Sequence, residues 1–232
     1  MITITNLGKA YNQRIVLFIK ELEIKQSEIF GLVGNNGAGK TTLLRLILDL
    51  IRADKGAVVS GEFKVARSEN WKAYTSSYLD EGFLIDFLTP EEYFHYIGDE
   101  YGFSKAEIDE KLQEFKVFFN GEILGQRKKL IREFSKGNKQ KIGIVSALIT
   151  DPKVIILDEP FNSLDPTSQI LLKRILVDYN KKTNATMVIS SHDLNHITDI
   201  SHRVALIEKG SIILDLQNDG SALAELENYF SA

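Results

Sequence analysis

Residues 34 to 41 read Gly-Asn-Asn-Gly-Ala-Gly-Lys-Thr and match the phosphate-loop pattern G-x-x-x-x-G-K-[ST]. The apolar run 29–33 comes directly before them, and a stretch of helical periodicity begins near Lys40. A strand that leads through a glycine-rich turn into a helix directs successive backbone N–H groups at one anion, and the helix N-terminus adds partial positive charge. The sequence therefore predicts a nucleotide phosphate site between a strand and a helix.

The residue types in this loop fit that site. Gly34, Gly37 and Gly39 permit backbone angles and a close approach that a Cβ atom would block. Lys40 would reach the β- and γ-phosphates of ATP, and the Thr41 hydroxyl would bind Mg²⁺. The other residues expected to contact the nucleotide are Asn35, Asn36, Ala38 and Thr42. A glycine-rich turn without a ligand is the alternative, and average glycine usage makes a chance match on the order of one chain in a hundred.

Composition limits the class of protein. The chain has 232 residues, of which 44% are apolar and 26% charged, as expected for a globular protein with one core and a smaller second lobe. A net charge of −4 and a pI of about 5.7 argue against a general nucleic-acid binder. Residues 127–141 are an exception, with seven basic side chains against the single acid Glu133. Charge alone does not separate a solvated face from an anion-binding surface there.

The sequence contains no cysteine, which excludes disulfides, thiolate metal sites and cysteine nucleophiles and is compatible with a cytoplasmic location. The N-terminus lacks the long apolar core of a signal peptide. No apolar run approaches the roughly 18 residues that a membrane span needs. A function at a membrane would therefore require a separate partner.

Sequence periodicity predicts an α/β core with a helical insertion. The strand-like pieces before the phosphate loop are residues 2–7, 15–22 and 29–33. Capping boxes at Thr89 and Ser104 predict the starts of two helices, and a further helix is expected from about 137 to 149. Residues 88–150 thus form a predicted helical lobe. The helical spacing of Ile108, Leu112, Phe115 and Phe119 predicts core packing for these side chains.

The core resumes with the apolar run 154–157, which is typical of a parallel strand buried on both faces. A helix is expected after Asp165, which would cap it ahead of a proline. The remaining predicted elements are a strand at 187–189, a hairpin formed by 203–208 and 211–216, and a C-terminal helix.

Asp158 and Glu159 directly follow the buried strand. Strand ends of a doubly wound sheet face the ligand crevice, so both carboxylates are expected beside the phosphate loop. Phosphoryl transfer to water needs an acid to hold Mg²⁺ and a base to orient and deprotonate the water. We therefore assign the first role to Asp158 and the second to Glu159. An Asp-Glu pair alone would be typical of a solvated surface.

Six motifs in this order resemble those of the ATP-binding cassette (ABC) ATPases, the nucleotide-binding subunits of ABC transporters. They are the phosphate loop, the helical insertion, Phe-Ser-Lys-Gly-Asn-Lys-Gln at 134–140, the run 154–160, Ser-Leu-Asp at 163–165 and Ser-His-Asp at 191–193. The resemblance covers nearly the whole chain. It implies a P-loop NTPase (RecA-like) core with an N-terminal antiparallel β part and an inserted helical subdomain.

The resemblance also implies a domain organisation. Residues 1–232 would form a single ABC ATPase domain. Its nucleotide-binding α/β core would comprise residues 1–87 and 151–215, its helical signature subdomain residues 88–150, and its C-terminal helix residues 216–232.

By the same resemblance, Tyr11 would stack on adenine, although a tyrosine in a core strand is the alternative. His192 matches the switch histidine that touches the γ-phosphate. Glu81 stands where the family usually has the glutamine that senses Mg²⁺ and water.

Ser135 and Gly137 match the signature motif, which in this family caps the γ-phosphate bound by the opposite subunit. Asp165 would belong to the interface between subunits. Ser135 and Asp165 are in addition each expected to cap the start of a helix, whatever their role between subunits.

Two departures from the family pattern stand out. The usual Leu-Ser-Gly-Gly-Gln appears as Phe-Ser-Lys-Gly-Asn at 134–138, which is similar to a variant in small cassettes of drug, antibiotic and peptide exporters. The second departure is Glu81, which stands where the family usually has glutamine, and this change also occurs in such subfamilies. Neither change by itself indicates a loss of activity.

The resemblance implies a cytoplasmic Mg²⁺-dependent ATPase that dimerises around two ATP molecules, as a homodimer or a cassette heterodimer. It would drive a separately encoded integral-membrane permease subunit, which would hold it at the inner face of the cell membrane, and no nucleic-acid partner is expected. Export is favoured over import. One alternative is a soluble ABC ATPase of an assembly machinery such as iron-sulfur cluster biogenesis. A P-loop kinase is another, which the signature run and the pair at 158–159 oppose.

The segment 82–101 is predicted to dock the permease. It carries more aromatic surface than one thin helical lobe is expected to bury, and exposed apolar area commonly marks an interface. Its large apolar side chains are Phe83, Leu84, Phe87, Tyr93, Phe94 and Tyr96.

Overall fold

The computed structural model describes residues 1–126 and 128–231. The strands are β1 Ile2–Tyr11, β2 Arg14–Ile24, β3 Ile29–Val33, β4 Lys55–Ser60, β5 Phe63–Lys64, β6 Thr75–Tyr78, β7 Val154–Leu157, β8 Thr186–Ser191, β9 Arg203–Glu208 and β10 Ser211–Gln217. The α-helices are α1 Lys40–Ile47, α2 Pro90–Glu100, α3 Lys105–Glu114, α4 Lys116–Phe119, α5 Lys136–Leu148, α6 Pro166–Thr183, α7 Leu194–Thr198 and α8 Ala222–Ser231. Short 3₁₀ turns include Glu81–Phe83 and Ile131–Glu133. No helix among the described residues is both long and apolar enough to cross a membrane.

A six-stranded sheet in the order β10-β9-β3-β8-β7-β6 places the site. Strands β9, β3, β8, β7 and β6 run parallel, and β10 pairs antiparallel with β9. The carboxyl ends of β3, β7 and β8 therefore meet at one edge, where the phosphate loop, Asp158 and His192 follow. A second sheet, β2-β1-β4-β5, is antiparallel.

Strand β3 separates two hydrophobic cores. Ile29 and Val33 face a core shared with α2 to α6, whereas Phe30 and Leu32 face a core shared with α1 and the antiparallel sheet. This division follows from the period of two along a strand. All of β3, β7 and β8 are buried, as the apolar runs predict.

The helical segment between β6 and β7 begins as the sequence predicts. Both capping boxes form: the Thr89 and Ser104 side chains accept the N–H groups of Glu92 and Glu107, whose carboxylates accept in return. The side chains predicted to pack in the core, Ile108, Leu112, Phe115 and Phe119, are all buried. Helix α5 also forms, from Lys136 to Leu148.

Three element boundaries differ from expectation. Strand β1 continues to Tyr11 because Asn12 and Gln13 adopt φ angles of 48° and 66°, which close a two-residue hairpin of type I′. Helix α1 ends at Ile47 rather than near residue 50. The C-terminal helix does not begin at 216, because β10 keeps pairing with β9 through Gln217 and a turn at Gly220, with φ of 98°, precedes Ala222. The predicted division into subdomains stays a prediction.

Candidate nucleotide-binding site

The phosphate loop connects β3 to α1, and its glycines meet backbone constraints. A Cβ atom at Gly34 would lie 2.3 Å from the carbonyl oxygen of Ile207. Gly37 and Gly39 have φ angles of 80° and 112°, in the region that favours glycine. The first N–H groups of α1 have no carbonyl partner within the helix. The loop therefore presents an electropositive concavity suited to phosphate.

A cavity of about 320 Å³ opens over this loop. Its lining comprises Tyr11, Val16, Asn35, Asn36, Gly37, Gly39, Lys40, Thr41, Thr42 and Glu159. The Tyr11 side chain is 49% exposed, and the Lys9 ammonium lies 5.2 Å from the centre of its ring. The β1–β2 hairpin thus supplies an apolar wall, while the loop supplies the polar floor.

Lys40 is buried beneath the loop and bound to groups of the protein itself. Its ammonium donates to the Gly34 carbonyl at 2.6 Å and lies 3.1 Å from Oε1 of Glu159. A phosphate that binds here would compete with Glu159 for this ammonium.

Thr41 and Asp158 bring two oxygens together, since the Thr41 hydroxyl donates to Oδ2 of Asp158 at 2.5 Å. Ser190 donates its hydroxyl to the other carboxylate oxygen. Burial raises the pKa of Asp158, and the bonds from Ser190 and Thr41 act in the opposite direction. A hydroxyl and a carboxylate are ligands that suit Mg²⁺.

No group of three or more His, Asp or Glu side chains that could hold a metal occurs in residues 1–126 and 128–231. Magnesium at Thr41 and Asp158 would accordingly take its other ligands from phosphate oxygens and water, as Mg²⁺ sites commonly do. The residues present fit the ion in that form.

Glu159 is held in an unusual backbone conformation, with φ of 47°. Its N–H donates to the Ser190 hydroxyl at 2.9 Å. Its Oε2 lies 2.9 Å from Nδ1 of His192 and also accepts the His192 backbone N–H at 3.2 Å. The structure thus brings Lys40, Glu159 and His192 into one connected group.

Glu81 is not brought to this group. Its carboxylate lies 3.5 Å from the ammonium of Lys139, at the start of the turn Glu81–Phe83. It makes no hydrogen bond or ion pair with Thr41 or Asp158 in the described part of the chain. Its role as a metal sensor stays a prediction.

Ser135, Gly137 and Asp165 also lie outside the cavity of their own subunit. Ser135 caps α5 by accepting the Asn138 N–H at 3.2 Å, and Asp165 caps α6 by accepting the Ser168 N–H at 3.0 Å. A Cβ atom at Gly137 would lie 2.6 Å from the Ser163 carbonyl oxygen. The expected caps at Ser135 and Asp165 are therefore confirmed, and Gly137 has a packing role within its own subunit.

Three residues of the site, Val16, Ser190 and Gln140, were not predicted from the sequence. Ser190 is wholly buried in β8, directly after the apolar residues 187–189, and a polar residue at such a position is a signal for a site. The Gln140 amide donates to the Glu159 carbonyl at 3.2 Å. Nothing in the helical pattern around Gln140 indicates this contact.

Comparison with known proteins identifies the family. The family described as ABC transporter matches residues 19–162. The chain is 32% identical over 229 residues to the lantibiotic transport ATP-binding protein SrtF of Streptococcus pyogenes, covering 98% of this chain and 96% of that protein. It is 34% identical over 225 residues to the bacitracin transport ATP-binding protein BcrA of Bacillus licheniformis, covering 94% and 70%. It spans 54% of an uncharacterized ABC transporter ATP-binding protein of Synechocystis, which is 33% identical over 194 residues.

Solved structures of ATP-binding cassettes have the same fold as this chain. An ATP-binding subunit of an ABC transporter superposes with a TM-score of 0.88 over the whole of both chains, at 26% identity. A dimeric ATP-binding cassette in a post-hydrolysis state with ADP and phosphate has the same fold, with a TM-score of 0.82 at 23% identity over 95% of this chain. These matches confirm the predicted P-loop NTPase fold. The chain belongs to the ABC transporter family and is an ATP-binding ATPase subunit of that family.

Proposed function

We propose that this subunit hydrolyses Mg²⁺-bound ATP in a dimer that encloses two nucleotides, and that the cycle drives a separately encoded integral-membrane permease that exports its cargo. The observation that carries the catalytic part is the connected group of Lys40, Glu159 and His192 beside the oxygen pair of Thr41 and Asp158. These groups lie at the carboxyl edge of one parallel sheet.

The geometry suggests how ATP would bind. The triphosphate would accept hydrogen bonds from the loop N–H groups and from Lys40, while Tyr11 and Val16 would contact the base. Thr41 and Asp158 would hold Mg²⁺, which neutralises charge on the transferred phosphoryl group. The ammonium of Lys40 would leave Glu159 for the phosphates.

Release from Lys40 would free the Glu159 carboxylate to accept a proton from the attacking water. His192 would keep that carboxylate oriented, because its ring nitrogen and its backbone N–H both bind Oε2. A positioned base of this kind contributes roughly a hundredfold to ten-thousandfold to the rate.

In the proposed dimer, the first turn of α5 would bind the partner's nucleotide in addition to beginning the helix. The turn carries the helix N-terminus, whose first N–H groups have no carbonyl partner within the helix, and the exposed Lys136, but it does not line the cavity of its own subunit. In a head-to-tail dimer it would face the partner's γ-phosphate, where a helix N-terminus stabilises negative charge. Ser135 and Gly137 would make that contact, and Asp165 would lie nearby at the interface. A homodimer and a cassette heterodimer both satisfy this geometry.

The proposed permease site uses only part of the segment 82–101 and extends beyond it. Leu84, Tyr93 and Phe94 are buried, whereas Phe83, Phe87 and Tyr96 are 51%, 65% and 46% exposed. A groove of about 340 Å³ lies beside α2, between β6 and the end of α1. Its lining includes Leu50, Trp71, Ile97 and Tyr101. We place the permease contact on this groove and the three exposed aromatics.

Relatives named for lantibiotic and bacitracin transport support export of a peptide or antibiotic, and they do not favour a soluble assembly ATPase. Attachment to the permease would place the subunit in the cytoplasm at the inner face of the membrane.

Two measurements on purified protein test the catalytic and dimer proposals together. Glu159→Gln should retain ATP binding and hydrolyse ATP at least about a hundredfold more slowly. Light scattering should show this variant shifting from monomer to dimer when Mg²⁺ and ATP are added. Normal turnover would remove Glu159 from its role, and an unchanged monomer mass would reject the dimer.

A further inference from the structure

The side-chain amide of Gln140 connects α5 to the backbone of Glu159. Gln140 is 8% exposed, and its Nε2 donates to the Glu159 carbonyl at 3.2 Å. Its Oε1 accepts the Tyr78 hydroxyl at 3.2 Å. A carbonyl oxygen can only accept, so the nitrogen of the amide must face Glu159 and the oxygen must face Tyr78. The amide therefore has one orientation that satisfies both partners.

Glu159 needs such support because its φ of 47° lies in a region that L-residues rarely adopt. Its N–H is held by a side chain, the Ser190 hydroxyl. Its carbonyl accepts from Gln140 and from the Asn162 N–H at 3.1 Å. Unusual backbone conformations persist where surrounding contacts fix them. Gln140 is the contact that reaches Glu159 from the helical segment.

Tyr78 is itself fixed against α5. Its ring is 3% exposed and packs on Gly143, where a Cβ atom would lie 2.0 Å from the ring. The Tyr78 carbonyl accepts the Asp158 N–H at 3.0 Å, so Tyr78 binds Asp158 directly and is connected to Glu159 through the Gln140 amide. A tyrosine hydroxyl is protonated at neutral pH and able to donate, and burial raises the pKa of Tyr78 further in the same direction.

We propose that Gln140 is a positioning residue for Glu159, and that Tyr78 and Gln140 together make the position of the base depend on how α5 is seated against the sheet. This inference rests on the proposed role of Glu159 as the base. Helix α5 also carries Ser135 at its start and Lys139, the partner of Glu81. A displacement of α5 would thus move the Glu159 carbonyl contact together with the turn that is proposed to face the partner's nucleotide.

Gln140→Met tests the proposal because methionine keeps the length of the side chain and removes both hydrogen bonds. We expect kcat for Mg²⁺-dependent ATP hydrolysis to fall roughly 10- to 100-fold, since small displacements of a reacting group carry losses of that order. KM and the affinity for ATP should stay within about twofold. Tyr78→Phe keeps the ring on Gly143 and the bond from Gln140 to Glu159, and should lower kcat by roughly threefold.

Gln169→Met is a matched control. Gln169 donates to the Phe161 carbonyl at 3.2 Å, the same kind of bond to a residue two positions beyond Glu159. Its kcat should stay within about twofold of the parent. An equal loss of kcat in Gln169→Met would show that any side-chain hydrogen bond to the backbone after β7 has the same effect. That result would overturn the specific role of Gln140.

The double variant Glu159→Gln/Gln140→Met separates positioning from general damage. A positioning residue has nothing left to position once the base is gone, so the double variant should be no slower than Glu159→Gln alone. The proposal would be overturned if the effects of the two substitutions on kcat were fully additive in the double variant. It would also be overturned if Gln140→Met lost ATP affinity in parallel with kcat, or if its kcat equalled that of the parent. Parental turnover in Glu159→Gln would instead reject the proposed base, whereas slow Glu159→Gln with fast Gln140→Met rejects only the role of Gln140.

Discussion

Lys136→Glu is expected to stabilise the subunit while it disrupts the ATP-bound dimer. Lys136 is the first residue of α5 and is exposed, so its positive charge faces the positive end of the helix dipole. A glutamate there should raise the stability by about 1 kcal/mol. For a chain of this length that corresponds to an increase in Tm of roughly 2 to 4 °C.

The effect on the dimer should have the opposite sign. Two unit charges about 6 Å apart at an effective dielectric constant of about 20 interact with roughly 3 kcal/mol, and reversing one charge changes attraction into repulsion. Salt screening reduces this value. A loss of only about 1.4 kcal/mol at each of two sites would weaken the dimer roughly a hundredfold.

Mass photometry of Lys136→Glu in the Glu159→Gln background, with Mg²⁺ and ATP, measures this change. Lys105→Glu is the matched control, because Lys105 is the exposed first residue of α3 and also follows a serine cap. Both variants should gain thermal stability, and only Lys136→Glu should lose the dimer. An unaffected dimer in Lys136→Glu, or equal loss in both variants, would refute the placement of the α5 turn at the partner's nucleotide.

Two further sets of variants test the nucleotide site, and a third tests the proposed permease contact. Glu159→Gln should bind ATP without Mg²⁺ about tenfold more tightly by calorimetry, because Lys40 no longer has to leave a carboxylate 3.1 Å away; unchanged affinity would show that the ion pair does not compete with phosphate. Tyr11→Ala should lose roughly 1 to 3 kcal/mol of ATP binding, whereas Tyr11→Phe and Tyr11→Trp should bind like the parent; equal affinity in all three would remove Tyr11 from the adenine site. Phe87→Asp should keep basal ATPase activity and lose copurification with the membrane subunit, and Ile213→Asp, at a 44% exposed position on β10, should keep both. Retained copurification of Phe87→Asp would move the docking site elsewhere.

The parts of the site that lie next to strand ends could be predicted from the sequence. The phosphate loop and Asp158 each follow a continuous apolar run, and the rule that parallel strands end at one edge is enough to bring them together. The caps at Thr89 and Ser104 were equally predictable, because all the groups involved lie within four residues of one another.

Contacts between distant segments could not be predicted. Gln140 bonds Tyr78, 62 positions earlier, and Glu159, 19 positions later. The sequence of α5 shows the helical spacing of its apolar residues, and this spacing does not indicate either partner. The pairing of Glu81 with Lys139 likewise depends on how α5 packs beside the turn at 81. The end of β1 at Tyr11 was missed because Asn12-Gln13 lacks the glycine that usually indicates a type I′ turn.

The position of β3 between two cores has a consequence for cooperativity. Alternate residues of this one strand contribute to both cores. If either core unfolded, β3 would lose the packing on one of its faces. The other core and the phosphate loop that follows β3 would then lose their support. The domain should accordingly unfold in a single transition, with calorimetric and van't Hoff enthalpies that agree. ATP bound at the proposed site would contact only one edge of the sheet, yet it should raise the free energy of global unfolding and slow amide exchange throughout the parallel sheet as well as at the loop itself.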